Sequence, residues 1–98
     1  MRPKKTRWVG CTAEERYFRP RCKPLSQLSD VRLSLDEFEA MRLADLKELK
    51  QIEAARLMRV SRPTFSRIIA SARKKVTDGL VNIKVIRIAG GCCKIKGR

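Results

Sequence analysis

QIEAARLM (51–58), RVS (59–61) and RPTFSRIIASARKKVTDG (62–79) are the stretch that decides the fold. In the first piece Ile52, Ala54, Ala55, Leu57 and Met58 are the apolar members of a short helix with Glu53 in its first turn. The paired alanines predict close approach of another helix. Arg59, Val60 and Ser61 break the period. Ser61 is a strong N-cap, because its hydroxyl can accept from an amide two or three residues on. Pro63 is tolerated in a first turn, where no intrahelical donor is lost. Beyond it Phe65, Ile68, Ile69, Ala72 and Val76 recur at helical spacing as far as Gly79, a residue suited to end a helix with positive φ. The expectation is two helices joined by a tight turn, the second being the longest of the chain.

A helix-turn-helix needs a small residue inside its first helix, an apolar residue in the turn and apolar positions on the buried side of its second helix. Ala55, Val60, Phe65 and Ile68 stand at that spacing. An ordinary helical hairpin has the same core, so the opposite face of the second helix separates the two readings. Arg67 and Lys74 lie there, flanked by Pro63, Ser66, Ala70 and Ser71, with no acid among them. Small and basic side chains let a helix enter a major groove about 12 Å wide, and arginine can pair with guanine through two donors.

Upstream, Ser34 and Glu37 have the spacing of a capping box, and Asp36, Glu37 and Glu39 suit the positive end of a helix dipole. Leu35, Phe38, Met41, Leu46 and Leu49 share one broad face, so a first core helix ending near Leu49 is expected. Arg42 on that face reads as a snorkelling arginine paired with Asp45 or Glu53. The first 25 residues carry Pro3, Pro20 and Pro24 without helical period and read as a basic arm and extended chain, with short strands around Arg7 to Gly10 and Tyr17 to Arg19. Val81 to Ile88 is rich in β-branched residues and reads as a strand closed by Gly90 and Gly91. A lone strand must pair, with the amino-terminal segment or with a second copy. The tail CCKIKGR is expected to be mobile.

Ninety-eight residues make one domain at most, and the formal charge of +14 favours polyanions such as nucleic acid. The charge is segregated: residues 26–49 carry 3 basic and 6 acidic side chains, whereas residues 50–79 carry 8 and 2, and residues 80–98 hold no acid. No apolar run approaches the roughly 18 residues of a membrane span, and no signal-type stretch follows the basic amino terminus, which places the chain in the cytoplasm. In that reducing compartment Cys11, Cys22, Cys92 and Cys93 read as free thiols or as a four-thiolate zinc site, should the chain ends pair. Histidine is absent, and no Gly-rich phosphate loop is present, so neither an enzyme nor any other cofactor is expected.

LSLDEFEAMRLADLKELKQIEAARLMRVSRPTFSRIIASARKKV resembles the carboxy-terminal promoter-reading helix-turn-helix of bacterial sigma factors. A narrower resemblance runs from RPKK through YFRP, DEFEAMRLADL and SRPTFSRI to RIAGG, covering nearly the whole chain. It is to a family of uncharacterised prokaryotic proteins described as predicted DNA-binding proteins. The resemblance implies that Arg62, Ser66 and Arg67 contact the major groove, and that Gln51 and Thr64 contact phosphates at helix starts. Two departures stand out. Arg59 occupies a turn position where glycine is usual, which predicts an arginine with positive φ. Pro63 replaces the usual glutamine and cannot read adenine through an amide.

The sequence therefore predicts a mainly α fold: a three-helix core of sigma-factor kind over residues 26–80, preceded by the arm (1–25) and followed by a strand and basic tail (81–98). Sequence-specific binding of double-stranded DNA, as a transcriptional regulator, is the expected function. Arg62, Pro63, Ser66, Arg67 and Ala70 would face the major groove; Lys50, Gln51, Thr64, Arg73 and Lys74 would meet phosphates; Arg2, Lys4 and Lys5 would form a minor-groove arm. A homodimer is expected, because one short recognition helix reads few base pairs and the Val81 to Ile88 strand offers an edge. The alternatives are a module docking on RNA polymerase or another protein, and an RNA-binding protein, the latter weakened by few aromatics for base stacking.

Overall fold

The structure is a computed structural model and describes residues 7–9, 16–88 and 93–95. In chain order its elements are β1 (Arg7–Val9), β2 (Arg16–Phe18), a 3-10 turn (Leu25–Gln27), β3 (Asp30–Leu33), α1 (Leu35–Met41), a π-helical turn (Arg42–Leu46), α2 (Gln51–Met58), α3 (Arg62–Val81), β4 (Val85–Ile88) and β5 (Cys93–Ile95). The fold is mainly helical with a small β component, as expected.

Helix α1 begins where the capping pattern placed it, with the Ser34 amide donating to the Glu37 carboxylate at 2.9 Å. It does not run evenly to Leu49. After Met41 the backbone widens, the Lys47 amide reaching back to the Arg42 carbonyl (2.9 Å) and the Leu49 amide to that of Leu43 (3.0 Å), with Glu48 at φ 58°. The wider winding keeps Leu43 and Leu49 on the core but turns Leu46, expected inside, out to solvent at 73% exposure. Arg42 pairs with Glu39 through two contacts of 2.6 and 2.8 Å, rather than with Asp45 or Glu53.

Two apolar clusters share α3 as a common wall. Its first half supplies Phe65, Ile68 and Ile69 to a cluster with Ala40, Leu43, Ala54, Ala55 and Met58. Phe65, Ala54 and Met58 are completely buried, so the paired alanines do allow close helix approach. Its second half packs Ala72 and Val76 on the sheet residues Leu33, Ile86 and Ile88, together with Leu35.

Helix α3 also outruns its expected end. Gly79 is a buried helical residue, and a Cβ there would come within 2.6 Å of the Ile86 side chain, so this glycine permits close helix–sheet approach instead of ending the helix. The reversal falls at Ile83, with φ 54°, and the Lys84 amide returns to the Gly79 carbonyl at 2.9 Å. The strand consequently starts at Val85, not Val81.

Strand β4 is central, with β2 antiparallel on one side (Phe18 opposite Ile86) and β3 parallel on the other (Leu33 opposite Ile88). The pairing of β4 with the amino-terminal segment is as expected. Strand β3 was not foreseen, and it ties the 26–80 region into the same sheet as residues 81–88. The tail, expected to be mobile, supplies β5, which pairs in parallel with β1. With β4 flanked on both sides, it leaves no edge for the dimer pairing that the sequence suggested.

Candidate nucleic-acid interface

The turn between α2 and α3 is built from backbone hydrogen bonds. At the end of α2 the Arg59 amide donates to the Arg56 carbonyl (3.1 Å) and the Val60 amide to that of Ala55 (3.0 Å), the paired closure of a helix ending in a left-handed residue. That residue is Arg59, with φ 57° and ψ 44°, as the glycine-to-arginine departure predicted. Val60 packs on the apolar cluster and Ser61 caps α3, accepting from the Thr64 amide at 3.3 Å. Pro63 sits in the first turn without loss of a donor.

With Phe65, Ile68, Ile69 and Ala72 buried, helical geometry delivers Arg62, Pro63, Ser66, Arg67, Ala70 and Lys74 to solvent, and all six are exposed. No acidic residue occurs in α3 before Asp78. Lys50 is exposed at the start of α2, where no side chain caps the helix, and Gln51 and Thr64 are half-buried at the two helix starts. Arg73 is already engaged: its guanidinium holds both oxygens of Asp45, at 2.7 and 3.2 Å.

The orientation of α3 about its own axis is held by Glu37. This carboxylate, 6% exposed, accepts from the Ser34 amide (2.9 Å) and hydroxyl (3.0 Å) on its own helix, and from the Ser71 hydroxyl and Lys75 ammonium (2.8 Å) on α3. Burial alone would push its pKa up; the hydrogen bonds from Lys75, Ser71 and Ser34 outweigh that and hold it below its usual value. Ser71 was expected on the solvent face beside Ala70. It is half-buried and turned towards α1, because the α1 contact claims that flank of α3.

A family model described as "Protein of unknown function DUF134" matches residues 1–96. The chain belongs to this family. It is 53% identical over 96 residues to a UPF0251 protein of Caldanaerobacter subterraneus subsp. tengcongensis, covering 98% of this chain and 81% of that one. A UPF0251 protein of Desulfosudis oleivorans is 51% identical over 90 residues, 92% of this chain and 65% of the relative. Another, of Dehalococcoides mccartyi strain CBDB1, is 46% identical over 97 residues, 99% and 83% of the two chains. No solved structure matches the chain.

Several of the expected site residues lie outside the described residues: Arg2, Lys4 and Lys5 of the arm, and Cys11 and Cys92 of the zinc group. Cys93 is placed only as a strand position, opposite Arg7, while Cys22 is an exposed free thiol. Among the described residues no helix is long and apolar enough to cross a membrane. The sequence reading gave no contact role to Arg56 or to Arg59, which it noted only for its backbone; both are exposed cations beside the α2–α3 turn, and the surplus of basic residues over 50–79 was the signal that could have singled them out.

Proposed function

We propose that this chain binds double-stranded DNA sequence-specifically and regulates transcription, with α2, the turn and α3 acting as a helix-turn-helix of the sigma-factor kind. The observation that supports this best is the solvent face of α3, where exposed, small or basic side chains run from Arg62 to Lys74 without an acid. Seated in the major groove, Arg62 and Arg67 would address guanine edges, Ser66 either a base or a phosphate, and Pro63 and Ala70 the methyl of thymine. Lys50, Gln51, Thr64 and Lys74 would meet the flanking phosphates, those at the uncapped start of α2 adding backbone amides to the contact. Arg73 can join them by exchanging Asp45 for a phosphate. Arg2, Lys4 and Lys5 would follow the adjacent minor groove. The reading requires neither cofactor nor catalysis, and the net charge of +14 would draw the chain to DNA.

Selection from random duplexes followed by sequencing tests this reading. An enriched motif, bound with an affinity that falls steeply as salt rises, is the expected result. Enrichment of nothing, with a salt-insensitive complex on RNA polymerase or a preference for RNA, would replace it with one of the other two readings.

A further inference from the structure

Cations border the outer face of α3 on both flanks, and an acid from outside the helix holds each. At 3.6 residues per turn Lys75 falls beside Ser71 on one flank, and Arg73 falls between Arg62 and Ser66 on the other. Glu37 of α1 holds Lys75 at 2.8 Å, and Asp45 of the π-helical turn holds Arg73 at 2.7 Å. The two pairs differ in access. The Glu37 side chain is 8% exposed and also accepts from Ser34 and Ser71, so removing Lys75 from it would strand a buried charge. The Arg73 and Asp45 side chains are 53% and 42% exposed. Both stay hydrated when they part, and an exposed pair contributes little to stability.

The second pair has the geometry of an anion fork. Nε and one terminal nitrogen of Arg73 reach the two oxygens of the same carboxylate, at 3.2 and 2.7 Å. That planar fork fits two oxygens of a phosphate equally well. We infer, resting on the DNA reading of α3, that Asp45 is an internal competitor which occupies the phosphate fork of Arg73 and so lowers the sequence-independent share of DNA affinity.

A brace between the turn and α3 is the other role such a pair could have. The core already does that work, since Ala40 and Leu43 share one buried cluster with Phe65, Ile68 and Ile69. As a competitor the pair is well placed, because Arg73 follows Ser66 by two helical turns and precedes Lys74, both on the exposed face. To reach a phosphate Arg73 must leave Asp45, and the acid then stands beside the DNA backbone without its cation. Both effects oppose binding on any sequence alike, because phosphates carry no sequence information. The base contacts proposed for Arg62 and Arg67 are untouched, so the ratio between a selected and a random duplex stays where it was.

Fluorescence anisotropy of the full chain on the selected duplex and on a random one, at low salt, tests this with Asp45→Asn, Arg73→Ala and the double variant. Asp45→Asn should tighten binding to both duplexes by about three- to fivefold, the size of an exposed ion pair, with urea unfolding little changed. Arg73→Ala should weaken both, and in its background Asp45→Asn should give no gain. A gain of full size in that background would show that Asp45 acts only through net charge, and no gain in the parent chain would show that it acts as a brace. Either result overturns the inference and leaves the DNA reading standing. A wild-type chain that selects no duplex and binds none removes the DNA reading, and the role of Asp45 with it.

Discussion

Replacing Glu37 with glutamine removes a charge from a nearly closed site while preserving its shape. Oε1 accepts from Ser34 and Lys75 and Oε2 from Ser71, so the amide can serve one set of donors and must turn a donor of its own towards the other. Hydrogen bonds to a charged group contribute about 1.5–3 kcal/mol each. Lys75 is 39% exposed, which screens its share, so the expected loss is about 2 kcal/mol near neutral pH. The pH dependence has a definite sign. Glu37 titrates below its usual 4.5 in the folded chain, so its stabilisation is present above that value and fades as pH falls through the folded pKa. The cost of Glu37→Gln should therefore be largest near neutrality and shrink in acid, where the wild-type side chain is uncharged as well. Urea unfolding followed by circular dichroism, at pH 7 and at successively lower pH through the acid range, measures both. A loss under about 0.5 kcal/mol at pH 7, the range of ordinary surface substitutions, would refute the clasp between α1 and α3. A loss that stays constant however far the pH falls while the chain remains folded would refute its electrostatic origin.

Gly79→Ala must displace Ile86, and the strain should exceed the gain in helix propensity, for a net loss of about 1–2 kcal/mol in the same unfolding experiment. Unchanged or raised stability would show that the sheet yields at that contact. Glu48→Gly should raise stability by about 1 kcal/mol, because glycine adopts the φ of 58° without the steric cost borne by glutamate; a loss would mean that the exposed glutamate makes a contact worth more than that strain.

The α2–α3 unit was legible because its signals are local. A capping serine, a tolerated proline and an apolar stripe at helical spacing each act within a turn or two, and the arginine in place of glycine announced its own positive φ. Features set by distant contacts were not legible. Gly79 reads as a helix stop in isolation, and only the approach of Ile86 from the sheet makes it a packing residue. The π-helical turn after Met41 has no sequence marker; it arises where Leu43 and Leu49 must both reach the core. Strand β3 was hidden because DVRL is short, though its alternation of exposed Asp30 and Arg32 with Val31 and Leu33 matches a half-buried strand. Ser71 looked like a member of the outer face, since the claim of Glu37 on it comes from a residue 34 positions away.

The central claim, that α3 reads bases, is tested most directly by titrating Arg67→Ala and Lys74→Ala against the selected duplex and a random one by fluorescence anisotropy. Arg67→Ala should cost about 1–3 kcal/mol on the selected site and much less on random DNA, narrowing the ratio between them. Lys74→Ala should weaken both duplexes about equally and lower the salt slope by about one unit, as a phosphate contact does. Sequence-blind losses from both variants would deny Arg67 its base, and no loss from either would take α3 out of the groove altogether.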